Sequence, residues 1–110
     1  MLNNAALPLK SVEENVEKVG ENGPADGLLF DRQGRMYISA VEENAVKVKV
    51  RDGVSTMVQD SRLRWPDTFA QGPDGAVYVT SSRIMDMNWF KTENPPSLKT
   101  TLFRIEPTQR

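Results

Sequence analysis

Residues 25–39 read ADGLLFDRQGRMYIS, and residues 66–80 read PDTFAQGPDGAVYVT. Aligned without a gap, Asp26 meets Asp67, Gly34 meets Gly75 and Tyr37 meets Tyr78, each pair 41 residues apart. Conservative pairs fill in between: Leu28 with Phe69, Met36 with Val77, Ile38 with Val79 and Ser39 with Thr80. Chance alternation of apolar and polar residues would not also bring an aspartate, a turn glycine and a tyrosine into step. The chain therefore states one structural unit twice.

The unit has a period of two. Residues 28–30 form a short strand, and DRQG at 31–34 is a turn whose glycine sits where positive φ is needed. Residues 35–40 return as a second strand, followed by the loop VEEN at 41–44. Residues 45–50 alternate cleanly, with Val46, Val48 and Val50 on one face and Lys47 and Lys49 on the other. RDG at 51–53 is a hairpin signal, and residues 54–58 return as a fourth strand. The second unit begins alike: strand 69–71, turn GPDG at 72–75, strand 76–81. It then departs, because residues 83–99 carry Met85, Met87, Trp89, Phe90, Pro95 and Pro96 and look like an inserted loop before a strand at 101–105. A four-stranded meander repeating at this spacing is the pattern of a β-propeller blade; the rival is a single small sandwich. The expected fold is all-β, about two four-stranded antiparallel blades with a short N-terminal helix. Residues 1–24 are then an N-terminal arm, 25–60 one blade, and 61–110 a second, incomplete blade. The helix is expected over 12–19, with Ser11 and Glu14 as a capping box and Val12, Val16 and Val19 at helical spacing. The alternative is a frayed arm, since eight residues make a marginal helix without support.

Composition limits the chemistry. Fourteen Lys and Arg nearly balance fifteen Asp and Glu in 110 residues, which gives no electrostatic case for a nucleic acid or an anionic membrane. No apolar run approaches the roughly 20 residues of a membrane span. The first twenty residues lack a basic segment followed by an apolar one, so a cytoplasmic location is expected for the chain as it stands. With no cysteine and no histidine, disulfides, thiolate catalysis, a serine–histidine triad and imidazole metal clusters are excluded within the chain. Chemistry here rests on carboxylates, amides, hydroxyls or a hard cation.

GPADGLLFDRQGRMYIS, VEENAVKV, DSRLRWPDTFAQGPDGAVYVTSSRI and TTLFRIEP together resemble the C-terminal part of the major royal jelly protein/yellow family, its bacterial members above all. Beyond them lies the wider gluconolactonase-like group. The likeness spans about residues 5–107 and is most specific in RWPDTFAQGPDG with an ADG block before it. It implies a six-bladed propeller, often secreted or periplasmic in full-length relatives, with a ligand pocket at one end of its channel. Two blades are a part of that ring. Either the chain is a fragment of a longer propeller, or three copies complete six blades as a homotrimer.

Antiparallel order alone sorts the loops of such blades. Asp26, Glu42, Glu43, Asn44, Asp67, Ser81, Ser82 and Arg83 share one rim, and Asp31, Arg32, Gly34, Asp52 and Gly75 the other. The candidate ligand-binding residues are Asn44, Trp65, Asp67, Ser81 and Arg83. Oxygens converging at a channel mouth suit Ca²⁺ or Mg²⁺. The resemblance gives Asp26 the role of a metal ligand; Asp67 fits less well, because Thr68 stands in place of the glycine. Structural alternatives stand beside each assignment: both aspartates as turn caps, Asn44 holding a loop in the left-handed region, Trp65 as packing between blades. Met85, Met87, Trp89 and Phe90 are a self-packed loop, a lid or a partner surface. No residue receives a catalytic role. The functions in view are a small-ligand binding module, part of a metal-dependent lactonase-type hydrolase, and a non-functional remnant.

Overall fold

The computed structural model describes residues 8–51, 53–87 and 99–107. These residues are mostly β. Strands β1 (Ala25–Phe30), β2 (Met36–Ala40), β3 (Ala45–Val50) and β4 (Gly53–Gln59) form one antiparallel sheet in sequential order. Strands β5 (Pro66–Gln71), β6 (Val77–Ser81) and β7 (Thr101–Ile105) form a second, three-stranded antiparallel sheet. A short helix α1 (Leu9–Glu14) precedes them, and a single 3₁₀ turn covers Ile84–Asp86. Asp52, Trp89, Phe90, Pro95 and Pro96 lie outside the described residues.

The two sheets are built by the same local rules. In the first hairpin Asp31 N donates to Arg35 O at 3.0 Å and Gly34 N to Asp31 O at 3.1 Å. Forty-one residues on, Gly72 N donates to Ala76 O at 2.8 Å and Gly75 N to Gly72 O at 3.0 Å. Gly34 and Gly75 have φ of 81° and 84°, a region that penalises any Cβ. At the other end of the same strands both sheets break register at equivalent places, between Ala25 and Leu28 and between Pro66 and Phe69. A hydroxyl from the neighbouring strand takes up the loosened backbone. Ser39 Oγ accepts from Asp26 N and Gly27 N at 3.1 and 2.8 Å, and Thr80 Oγ1 accepts from Thr68 N at 3.1 Å. The repeated Asp-x and Ser/Thr positions are thus first of all the two halves of one bulge.

The sheets pack face to face around Tyr37 and Val46 from the first and Leu63, Val77 and Val79, four of these five fully buried. Register explains which side chains arrive there. Tyr37 opposes Leu29 and Val48, and Val46 opposes Ser39 and Val58, so these share the face turned to the second sheet. Phe69, Val79 and Phe103 are aligned across β5, β6 and β7 on the opposing face. The rings of Tyr37 and Phe69 lie 6.3 Å apart and tilted by 49°. Strands β1 and β5 run side by side, close enough that a Cβ on Gly27 would overlap the carbonyl oxygen of Asp67.

The helix differs from expectation. It spans Leu9–Glu14, with Pro8 at the N-cap and no side-chain cap bond, so Ser11 lies inside it rather than ahead of it. Asn15 follows, its side-chain amide donating to Ser11 O at 2.6 Å. None of its residues is buried, so the valine stripe at 12, 16 and 19 has no partner surface to extend the helix. Val19 instead lies beside Phe30 and Met36 on the first sheet.

Candidate functional site

Both sheets present the same ends together. The start of β1, the β2–β3 turn and the end of β4 lie at one end of the first sheet, and the start of β5 and the end of β6 at the matching end of the second. At the opposite end the hairpin turns meet, where Arg32 N donates to Gln71 Oε1 at 3.2 Å. The rim residues Asp26, Asn44, Asp67, Ser81 and Arg83 all fall on the first of these ends.

Trp65 organises that end. Its backbone lies in the left-handed region at φ 54°, an outlier for a bulky side chain. Backbone bonds on both sides hold it there: Ser82 N donates to Trp65 O at 3.0 Å and Arg83 N to Arg64 O at 3.1 Å. Ser81, fully enclosed, donates its hydroxyl to Arg64 O at 2.5 Å. Turned in this way, the indole reaches across to the first sheet, where Nε1 donates to Asp26 Oδ2. Among the described residues, Asn44, Arg51, Trp65 and Arg83 are the non-glycine residues at positive φ, and three of them lie at this end. Backbone strain of about 1 kcal/mol or more at a bulky residue such as Trp65 persists because the surrounding bonds hold it.

Beside Trp65 lies an ion cluster that sequence reasoning missed. Arg64 grips Asp86 with two bonds, Nε to Oδ2 at 2.8 Å and a terminal nitrogen to Oδ1 at 2.9 Å. Arg83 Nε adds a third at 3.0 Å. Asp86 is buried, while both guanidiniums remain about a third exposed. The hydrogen bond with Asp86 raises the pKa of Arg64 further above its ordinary value. Among the described residues, two guanidiniums share this one buried carboxylate. The only sequence signal was Arg83 three residues before Asp86 at the start of a segment read as a loop; Arg64 lies 22 residues earlier, and pairing over that distance leaves no periodic trace. In the connection between β4 and β5, hydrogen bonds from the Arg62 side chain and backbone hold the Asp60 carboxyl down at about 2.

The remaining candidates divide. Asn44 is in the left-handed region at φ 51°, and its carbonyl accepts from Asp60 N at 3.1 Å. Asp67 is half-buried and accepts from its neighbour Thr68 Oγ1 at 3.3 Å. Asp26 and Asp67 sit on adjacent strands of different sheets, not on unrelated sides of the molecule. For a cation the donor set is thin. Asp26 already accepts the indole N–H, and among the described residues no three acidic side chains converge. Ca²⁺ takes six to eight oxygens, so these two carboxylates do not by themselves make its site. A shallow cavity of about 250 Å³ lies on the outward face of the first sheet, between residues 21–24 of the arm and Ile38, Ala40 and Val54, and reaches the rim at Glu42 and Glu43.

No family model matches the chain, and no curated protein matches it. No helix among the described residues is long and apolar enough to cross a membrane.

Proposed function

We propose that this chain is a pair of neighbouring blades of a six-bladed β-propeller, and that the end built on Trp65 binds a small polar ligand carrying a carboxylate. The likeness to the royal-jelly/yellow and gluconolactonase-like propellers motivates the blade reading. Three copies, or a longer chain, would supply the other blades. The observation that carries the ligand reading is the left-handed Trp65, which spans from one sheet to Asp26 of the other beside two arginine side chains about a third exposed. The indole face offers stacking, and Asp26 and Asp67 offer acceptors to ligand hydroxyls. Arg64 and Arg83 have N–H groups suited to a carboxylate. A sugar acid has all three features.

The test is a titration of tryptophan fluorescence in the Trp89→Phe background, which leaves Trp65 as the one tryptophan. Gluconate should change the emission saturably and raise the melting temperature, while glucose does neither. Arg83→Ala should weaken gluconate about tenfold, the loss of one charge-assisted contact. A flat titration with gluconate, in protein shown to be folded, overturns the ligand reading. Calcium alone, added to the same protein, tests a cation: a thermal shift lost in Asp26→Ala supports one completed by groups beyond Asp26 and Asp67, and an unchanged melting temperature removes it.

A further inference from the structure

The geometry points to head-to-tail self-association through two particular sheet faces. The repeat makes the faces comparable. The second sheet meets the first with Phe69, Val77 and Val79, and the positions 41 residues earlier are Leu28, Met36 and Ile38. By register those three lie on the first sheet's outward face, away from the second sheet. The first sheet in turn receives its partner on Leu29, Tyr37 and Val48. Their counterparts in the second sheet are Ala70, Tyr78 and, through pairing, Arg104, with Leu102 in place of Val46. These too point outward. The internal contact therefore joins the front of one unit to the back of the other, and it leaves one front and one back outside that contact, the front with Met36 and Ile38 already buried and Leu28 exposed.

The front is apolar, while on the back Leu102 and Tyr78 stand beside Arg104, which takes the Val48 position and is ion-paired to Asp74 and Glu106. Leu28 is 56% exposed and Phe30 60% exposed on the front, and Leu102 63% exposed on the back. The occupant is a second copy of this chain, because the back it presents is the repeat-equivalent of the surface that already holds Phe69. Repeating the internal operation sets Leu28 of one copy against Tyr78 of the next, as Phe69 is set against Tyr37. The stretch 19–24 lies over the middle of the front face, so docking displaces it. A front-to-back contact is heterologous; it closes into a ring or runs on as a fibre, and it never stops at a symmetric dimer. Ring size alone rests on the propeller reading, in which six blades require three copies.

Complementation tests the interface. Leu28→Asp blocks the front and Leu102→Asp blocks the back; both side chains are exposed, and circular dichroism confirms folding of each variant. In sedimentation velocity the wild type should rise in mass with concentration, and each variant should stay monomeric. An equal mixture of the two should form a heterodimer, since one supplies an intact back and the other an intact front. A wild type that stays monomeric, a mixture that stays monomeric, or a variant that dimerises alone each overturns the proposal. A limiting wild-type mass of three chains supports ring closure at six blades. A different closed mass, with complementation intact, keeps the interface and refutes the six-bladed count. Gluconate binding at Trp65 fails or succeeds independently of all these masses.

Discussion

At the residue scale the tightest knot is Asp31. Its side chain is fully enclosed, with Oδ1 accepting from Gln33 N and Arg35 N at 2.9 Å each. Oδ2 accepts from Arg35 Nε at 2.7 Å and from the Tyr37 hydroxyl at 3.0 Å. Burial pushes this carboxyl up, but the bonds from Arg35 and Tyr37 outweigh it and hold the carboxyl below its ordinary 3.8. Burial, with the adjacent Asp31 charge, pushes the Tyr37 hydroxyl up to about 12 from 10.0. The signs are opposite in pH. The depressed Asp31 stabilises the fold above its unfolded value and loses that contribution as the pH falls through the folded one. The raised Tyr37 stabilises the fold below pH 10 and loses that contribution as the pH rises towards 12. Chemical denaturation across pH should therefore give a plateau with a fall at each side. Tyr37→Phe should remove its part of the alkaline fall and lower the plateau by about 1–2 kcal/mol, the loss of a buried bond to a charge. An unchanged alkaline limb in that variant would place the titrating group elsewhere.

At the element scale the bulge at the start of β1 sets how closely the two sheets approach. Gly27 faces the carbonyl oxygen of Asp67, a backbone atom with no freedom to swing aside. Gly27→Ala should cost about 2–3 kcal/mol in urea unfolding, a clash cost at the top of the overpacking range. Gly23→Ala, at a position with open space, should cost almost nothing and serves as the control. Equal effects of the two would refute the close approach. The same bulge explains why the sequence leaves Thr68 where Gly27 stands in the first unit. Thr68 is exposed, with no third sheet beside it among the described residues. The hairpin turns, in contrast, were legible residue by residue, because Gly34 and Gly75 do local work that any sheet would demand.

At the scale of the whole molecule, the two sheets share one core rather than owning one each. Val79 belongs to the second sheet, yet it packs in the cluster with Tyr37 and Val46 of the first. Val79→Ala should cost about 2 kcal/mol. In native-state hydrogen exchange it should lower the protection of amides in β2 and β3 as much as in β6. Loss confined to β5, β6 and β7 would mean two independently stable sheets. The self-association argued above acts on this same scale, because it repeats outward the contact that the core makes inward.

Sequence alone determined the strand order within each sheet, the turns, and the 41-residue correspondence, since alternation and glycine at positive φ are local demands written in neighbouring residues; it did not show the hydroxyl-backed bulges that start β1 and β5. It mistook the helix, whose extent depends on whether a surface lies beneath Val16 and Val19, and that is a tertiary fact. The Trp65–Asp26 bridge and the fit of Gly27 against Asp67 were decided by the packing of one sheet on the other, and the grip of Arg64 on Asp86 by the meeting of the segments before β5 and after β6. Each joins residues 22 or more positions apart, and nothing in the spacing of a chain records which distant side chain its fold will bring within bonding distance.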